Sequence, residues 1–482
     1  MNGKVIVLEF NELSPVLMNR FIERGHLPNF QKLRDQSIVC ISDAHEESPA
    51  LEPWIQWISI HTGLTYAHHG VFHLGDGEKL KNKRTWDYLA DNNRTAWVCG
   101  SMNAAVNTTN NANLFILPDP WSQEIKPHPL ATFQSFFHFV RTYVQEYTRE
   151  KVPLTKSDYA RFAGFMVENG LSAGTVRAAV LQLLGERLGT RRRWGRAAIM
   201  DRLQWDVFGK FYRKLQPTLS TFFLNSTAHY QHYYWRNMEP ELFALKDGLQ
   251  EQAESADAIL FGYRSMDRII GECMKMAGPD VSIILATALS QQPMTRYEET
   301  GGKLVFRPTD ISELMRLAGI NSKYEFLPVM AEEFHLMFKT DKEAADACER
   351  LKALRVTDGR PVMSLELDGH KLFGGCAIIA EPGQDAFVVN LTSGSKKRFD
   401  ELFYVVTGLK SGMHHPHGIL WIRLPADVRR NEIVQRKVPI EEIGATILEL
   451  CGISSHATGF PARPMPEVMA LIQPEVLLKA AS

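Results

Sequence analysis

The feature that most constrains the fold is the alternation of short apolar runs with helical patterns at both ends of the chain. Strand-like runs cover residues 5–8, 95–99, 220–224 and 281–286, and helical patterns cover residues 15–25, 28–36, 85–92, 257–276 and 440–451. Strands that alternate with helices are typical of a parallel sheet covered on both faces. The sequence therefore predicts an α/β fold with a mostly parallel central sheet flanked by helices.

Two stretches interrupt this alternation and are predicted to be insertions. Residues 123–215 form a helical insertion that is basic and aromatic, and residues 291–409 form a smaller α+β cap insertion. The predicted core then consists of residues 1–122, 216–290 and 410–482. A chain of 482 residues is longer than one typical domain of roughly 100–200 residues, so insertions into one large core are expected.

The charge balance argues against a nucleic-acid partner, because the formal net charge is only −1 and nucleic-acid binders are usually strongly basic. The 6 cysteines are far apart and form no Cys-x-x-Cys pair, which argues against a cysteine zinc site and a disulfide framework. Reduced, mostly buried thiols are expected, as in a cytoplasmic protein. No targeting or membrane-spanning segment is predicted, and the oligomeric state is not readable from the sequence.

Polar residues follow the predicted strands, where the loops of a parallel sheet surround a crevice. Glu9, Asn11 and Glu12 come at the end of the first strand, and residues 225–232 follow the third. Near the C-terminus, residues 414–417 contain three histidines. Histidine is a common metal ligand, so this run suggests metal binding. The alternative is a turn whose imidazoles form local hydrogen bonds.

Seven segments contain recognisable motifs in a fixed order: residues 5–15, 27–33, 48–70, 222–232, 282–290, 411–420 and 438–452. They resemble the alkaline phosphatase superfamily, specifically its type I phosphodiesterase, nucleotide pyrophosphatase and phosphomutase-like branch. The resemblance implies an alkaline-phosphatase-like core. It also implies two metal ions with Asp and His ligands, and a Thr, Ser or Cys nucleophile.

The chain departs from that pattern at the implied metal ligands. Only His232 and His414 match the pattern, while the other ligand positions carry Asn11, Ala228, Ala288 and Leu289. Alanine and leucine side chains have no atom that can bind a hard cation, so the usual binuclear zinc site is not expected to form. The implied nucleophile position falls on Pro53 or Glu52, and neither is a Thr, Ser or Cys.

The leading hypothesis is therefore a repurposed hydrolase or transferase that works without the two-metal centre. Paired carboxylates perform acid/base or nucleophilic catalysis, above all at an anomeric carbon, so a glycan, glycolipid or sugar-phosphate substrate is expected. A weak resemblance to phosphatase-like proteins found with polysaccharide genes points the same way. The predicted catalytic residues are Glu52, His232, His414 and Glu9, and the predicted substrate-binding residues are Asn11, Glu12, His229 and His417.

Two alternatives remain open. One is a phosphoesterase or phosphotransferase that uses a single divalent metal, Zn or Mn, held by His232, His414 and a nearby carboxylate. The other is a catalytically inactive binding or scaffold protein. Loss of catalysis would allow apolar residues such as Ala228, Ala288 and Leu289 at the implied ligand positions. No cofactor is favoured.

The predicted helical insertion carries the strongest basic cluster of the chain. Arg191, Arg192 and Arg193 begin it, and aromatic residues interleave with basic ones over residues 191–214. One interpretation is a solvated helix face. The other is a surface that binds an anionic substrate or makes peripheral contact with a membrane.

Overall fold

The structure is a computed structural model, and it describes residues 3–122, 125–144, 154–189, 192–246, 249–329, 333–383, 385–406 and 408–472. The strands are β1 (Lys4–Phe10), β2 (Ile38–Asp43), β3 (Ala96–Cys99), β4 (Leu114–Leu117), β5 (Leu219–Leu224), β6 (Val281–Ala286), β7 (Ser290–Pro293), β8 (Phe306–Pro308), β9 (Tyr324–Pro328), β10 (Glu333–Phe338), β11 (Leu354–Val356), β12 (Met363–Asp368), β13 (Lys371–Cys376), β14 (Phe387–Asn390), β15 (Lys396–Arg398), β16 (Phe403–Val405), β17 (Gly412–His415), β18 (His417–Arg423) and β19 (Glu432–Pro439).

The helices are α1 (Pro15–Glu23), α2 (Pro28–Arg34), α3 (Pro53–Thr62), α4 (Tyr66–His69), α5 (Thr85–Asp91), α6 (Leu130–Val144), α7 (Lys156–Glu168), α8 (Ala173–Arg187), α9 (Arg196–Leu215), α10 (Ser226–Met238), α11 (Leu249–Ser255), α12 (Ala258–Ala277), α13 (Ile311–Ala318), α14 (Asp341–Lys352), α15 (Phe399–Leu402), α16 (Glu441–Leu450) and α17 (Pro466–Ile472).

The central sheet confirms the predicted fold class. Within the described residues it has eight strands in the order β19-β2-β18-β6-β1-β5-β3-β4. All neighbours are parallel except β18, which runs antiparallel to both β2 and β6. The four strand-like runs identified in the sequence are β1, β3, β5 and β6. They are four adjacent strands of this sheet, in the order β6-β1-β5-β3.

The histidine run near the C-terminus forms strand ends rather than a loop. Residues 412–415 are β17, which pairs antiparallel with β7, and β18 begins at His417. Pro416 separates the two strands, and a proline cannot donate a ladder hydrogen bond. The chain therefore changes sheets at this proline, and His414 and His417 lie in different strands.

Helices cover both faces of the sheet, because alternate residues of a strand point to opposite faces. In β1, Ile6 and Leu8 enter the core beneath α1, α2, α9 and α12, whereas Val5 and Val7 enter the core beneath α3, α5 and α16. Aromatic side chains from residues 125–215, such as Phe133, join the first of these cores. Helices α6 and α9 of that region therefore share a core with the sheet.

Residues 304–405 contribute a third core of their own. Strands β12-β13-β10-β9 form an antiparallel sheet, and α14 packs against it through Leu351 and Ala347. This is the α+β arrangement that the sequence predicted for the cap.

None of the six cysteines forms a disulfide and all six are buried, as their spacing indicated. Burial raises the pKa of the Cys40 thiol to about 12, so this group stays protonated near neutral pH. Among the described helices, none combines the length and the apolar composition needed to cross a bilayer.

Candidate active site

Polar residues meet where β1 and β5 end, at the carboxyl edge of the sheet. Asn11 and Glu12 directly follow β1, and His232 lies two turns into α10, which follows β5. His414 arrives from the other direction on β17. Three distant segments of the chain thus supply one site.

Glu12 lies at the centre of this site. Its Oε2 atom is 3.2 Å from His232 Nε2 and 3.2 Å from His414 Nε2. The three ligand atoms all lie within 4.8 Å of one another, and no other group of three His, Cys, Asp or Glu side chains in the described part of the chain meets this test. The arrangement has the donor set and the compactness of a metal site.

The second nitrogen of each imidazole faces a backbone carbonyl. His232 Nδ1 is 3.1 Å from the oxygen of Gly412, and His414 Nδ1 is 2.9 Å from the oxygen of Leu51. A carbonyl oxygen only accepts hydrogen bonds, so each Nδ1 is assigned the proton. The Nε2 atom of a neutral ring then presents a lone pair to Glu12. Partners of this kind orient metal-binding histidines.

The pKa values of the two imidazoles shift in opposite directions. Burial lowers the pKa of His232 to about 4, and the nearby Lys410 acts in the same direction, so His232 is neutral at pH 7. Burial also disfavours the charged form of His414, but Glu52 and Glu12 together outweigh it and raise the pKa of that ring. A metal ion held by His414 would therefore displace a proton that the two carboxylates favour.

Glu12 is an anion despite being enclosed. Burial raises the pKa of its carboxyl group, but His414 and His232 outweigh burial and hold this pKa well below its usual range. His232 contributes to this lowering through a hydrogen bond as well as through its charge. Without the proton between them, His232 Nε2 and Glu12 Oε2 present two lone pairs 3.2 Å apart, which is complementary to a divalent metal ion.

Neighbouring amides hold the Glu12 carboxylate in place. Asn11 Nδ2 donates to Oε1 at 2.7 Å, and Gln291 Nε2 donates to Oε2 at 2.5 Å. Gln231 Nε2 donates to the backbone oxygen of Glu12, whose φ of 61° lies in the left-handed region. That conformation is uncommon for a residue with a side chain and is often found at functional sites.

Asn11 was predicted to bind substrate, but its polar atoms are engaged within the protein. Its Nδ2 atom also donates to Asn225 Oδ1 at 2.7 Å, and Trp57 Nε1 donates to its Oδ1 atom at 2.9 Å. Its side chain is buried. The structure therefore corrects that prediction, because Asn11 positions Glu12.

Glu52 lies beside Glu12, His232 and His414, at the edge of the site that faces solvent. It occupies the N-cap position of α3, and its Oε2 atom is 3.5 Å from His414 Nδ1. Its side chain is 30% exposed, compared with 2% for Glu12. A carboxylate placed between a histidine and solvent can accept a proton from a water molecule.

Glu9 was predicted to be catalytic, and the structure corrects this prediction. Its side chain is fully buried among Val5 and Val7 on one face of the sheet, and its Oε1 atom lies 3.0 Å from Nε2 of the buried His61. No substrate can reach a carboxylate enclosed in this way. Glu9 and His61 are an internal pair that links β1 to α3.

Two histidines predicted to bind substrate, His229 and His417, do not join Glu12, His232 and His414. His417 Nε2 is 2.8 Å from Lys437 Nζ and 3.6 Å from Asp43 Oδ2, so its neighbours belong to β19 and β2. His229 is exposed on α10, with its ring centroid 5.0 Å from that of Tyr233. His229 lies one turn before His232 and remains a predicted substrate contact.

The basic stretch does not form the predicted membrane surface. Its aromatic residues Trp205, Phe208, Phe211 and Tyr212 are buried in the core beneath the sheet. Arg192 Nη2 lies 3.2 Å from Glu254 Oε1, and Arg193 is exposed. Arg191 lies outside the described residues. The structure supports a solvated helix face with ion pairs, and it corrects the prediction of membrane contact through the aromatic residues of 191–214.

The comparisons with known proteins identify the family. The chain matches the family described as type I phosphodiesterase / nucleotide pyrophosphatase over residues 5–354. It belongs to that family, within the alkaline phosphatase superfamily. No curated protein sequence matches the chain.

Solved structures that resemble this member of the family include enzymes from two organisms. Murine ectonucleotide pyrophosphatase/phosphodiesterase 5 in complex with AMP is 10% identical, with a TM-score of 0.42, over 98% of this chain and 99% of that chain. Phosphonoacetate hydrolase from Sinorhizobium meliloti in complex with phosphonoformate is 10% identical, with a TM-score of 0.41, over 93% of this chain and 96% of that chain.

For a member of this family, the replaced ligand positions have become part of the core. Ala228, Ala288 and Leu289 are at most 1% exposed. Their apolar side chains cannot bind a cation, so a second metal site with the pattern of the family does not fit these residues. A single metal ion fits, because Glu12, His232 and His414 converge.

Two aspects of the site were missed in the sequence. Glu12 was assigned to substrate binding, although it is the residue that joins the two histidines. Gln291 was not singled out at all, although it bonds Glu12 from β7. Its only signal was the polar pair at residues 291–292, directly after the altered ligand segment 282–290.

Proposed function

We propose that this phosphodiesterase-family protein is a hydrolase of phosphate esters or diesters that uses one divalent metal ion. Glu12, His232 and His414 would hold the metal. The observation that carries the proposal is the convergence of Glu12, His232 and His414, whose ligand atoms all lie within 4.8 Å of one another. Family membership supplies the substrate class.

The donor set of two imidazoles and one carboxylate suits Zn²⁺ and also accepts Mn²⁺. When bound, such an ion stabilises negative charge on phosphoryl oxygens and lowers the pKa of a water molecule. The residues around it prepare the site before any ligand arrives. Asn11 and Gln291 fix the carboxylate, and the carbonyl oxygens of Gly412 and Leu51 fix the two rings.

Glu52 is the proposed general base. The resemblance to the family puts its nucleophile at Pro53 or Glu52, and Glu52 is the one of the two with a carboxylate, so we place it next to the attacking water. Its carboxylate would take the proton of that water, and His414 is close enough to stabilise the charges of the two carboxylates between which it lies.

Metal analysis tests this proposal directly. The purified protein should contain about one zinc or manganese ion per chain. Chelation should remove hydrolysis of bis(4-nitrophenyl) phosphate, and adding back the ion should restore it. Activity that survives complete removal of metal would contradict the proposal and favour metal-independent catalysis, including the glycan-directed chemistry considered above. Bound metal without turnover of ester, diester or phosphonate probes would favour a binding protein.

Replacing Glu52 with glutamine should lower kcat by about 10²–10⁴-fold, which is the usual contribution of a general base. The metal content should not change, because Glu52 lies outside the ligand group. Glu47→Gln, an exposed change five residues earlier, is the matched control and should retain normal turnover. A Glu52→Gln protein with normal kcat would show that this carboxylate is not the base.

A further inference from the structure

The surface of α8 has an inverted pattern of polarity. Its buried residues are Thr175, Gln182 and Gly185, and Gln182 Nε2 donates to the backbone oxygen of Arg192 at 2.7 Å. Its apolar residues face outward instead. Soluble helices normally bury the apolar stripe and expose the polar one.

The outward residues form one continuous apolar patch with the end of α7. The exposed members of this patch, here named the α7–α8 face, are Val167, Val176, Val180, Leu181, Leu183, Leu184 and Leu188. Val167 and Leu188 are 72% and 76% exposed. A groove of about 600 Å³ runs between the two helices, and Arg177 is its only charged lining residue. Contiguous exposed patches of this kind mark interaction surfaces.

Positive charges outnumber negative ones on the exposed surface of α7 and α8. The exposed charged residues of the two helices are Lys156, Arg161, Arg177 and Arg187 against a single exposed carboxylate, Glu168. The buried carboxylates Glu186 and Asp158 are paired with Arg196 and Arg161. A second cavity of about 390 Å³ shares the turn at residues 170–174, and its charges balance, since Asp206 and Glu272 line it together with Arg202 and Arg213. The excess of positive charge therefore belongs to α7 and α8 themselves.

We propose that the α7–α8 face binds peripherally to a bilayer that contains anionic phospholipid. The leucines and valines would enter the boundary between headgroups and acyl chains, and the arginines would contact lipid phosphates. Binding to such a bilayer gains from buried apolar area and from attraction between basic side chains and anionic lipid, and this face offers both. Trp205, Phe208, Phe211 and Tyr212 take no part, because they are buried.

The charge pattern favours a lipid surface over a second copy of this chain. In a two-fold dimer through this face, the same arginines would meet across the interface. Like charges at such an interface are repelled, whereas an anionic bilayer attracts every one of them.

Flotation of the full chain with lipid vesicles tests the proposal. The protein should float with vesicles of one-third phosphatidylglycerol and two-thirds phosphatidylcholine, and far less with phosphatidylcholine alone. The double change Leu181→Gln and Leu184→Gln should lower the partition coefficient at least about tenfold, because both side chains are exposed and lie on the face. Arg177→Gln with Arg187→Gln should lower binding to the anionic vesicles by a similar factor.

Leu242→Gln is the matched control, since Leu242 is 46% exposed on a different surface. It should float as the unaltered protein does. The proposal would be overturned by absence of vesicle binding, or by binding that the leucine variant leaves unchanged. A concentration-dependent dimer that the leucine variant dissociates, without vesicle binding, would also overturn it and assign the face to a second copy.

Discussion

Replacing Glu12 with glutamine is expected to remove the bound metal and to lower turnover of a phosphodiester by at least about a hundredfold. Loss of residues that merely orient metal ligands already costs 10–100-fold, and Glu12 contacts both histidines itself. Glutamine has nearly the same shape as glutamate but no negative charge. The change therefore tests charge and coordination with little effect on packing.

The same change should weaken the metal-free fold only slightly. Asn11 Nδ2 and Gln291 Nε2 both donate to the Glu12 carboxylate, so the nitrogen of the glutamine amide must face one of these two donors. The cost is that of one hydrogen bond, about 0.5–1.5 kcal/mol. Lost activity with a small loss of stability separates a functional carboxylate from a structural one.

Metal content after dialysis and kcat/KM at saturating metal are the measurements. Glu23→Gln is the control, because Glu23 is exposed at the end of α1. If the Glu12 variant kept about one metal ion per chain and normal turnover, Glu12 would not be a ligand.

Replacing Arg236 with methionine is expected to lower the free energy of unfolding by about 3–5 kcal/mol. Arg236 is 1% exposed, and its guanidinium bonds both carboxylate oxygens of Glu298 at 2.8 and 2.9 Å. Burial raises the pKa of Glu298, but Arg236 outweighs it and lowers that pKa, so the pair is ionised. Methionine would remove both bonds of Arg236 to this carboxylate, whose side chain is 8% exposed and which keeps the backbone N–H of Leu245 as a donor but loses its positive partner.

The second change Glu298→Met should restore much of the lost stability, because removing both charges is far less costly than removing one. Arg360→Met is the control. Arg360 pairs with Asp358 at the surface, both about 43% exposed, and such pairs contribute roughly 0–1 kcal/mol. Urea unfolding measures all four proteins. A loss below about 1 kcal/mol for Arg236→Met would show that the pair is not a stabilising link between α10 and the segment after β7.

Local periodicity was sufficient to predict the middle of the fold. β1, β5 and β6 are continuous apolar runs because both faces of the sheet are covered, and such runs are visible in the sequence. β18 was not identified as a strand. Its residues 417–420 were interpreted as part of a ligand segment, and only the partners of residues 417–423 in β2 and β6 make them a strand.

For the α7–α8 face and the basic stretch, too, the sequence predicted one part of the arrangement and the tertiary structure decided the other. The sequence located the arginines and the aromatic residues of 191–214 next to one another. It could not tell that Phe208 and Trp205 point to the core while Leu184 points to solvent, because both sets follow a helical period.

The sequence alone determined the fold class, the family and the loss of most implied metal ligands. These depend on residue types and their order, which a motif records directly. Only the tertiary structure decided that Glu12 is the centre of the site, that Glu9 is an internal residue and that Asn11 orients Glu12. The physical reason is that Glu12, His232 and His414 are separated by roughly two hundred residues at each step, so no local pattern records that their ligand atoms lie within 4.8 Å.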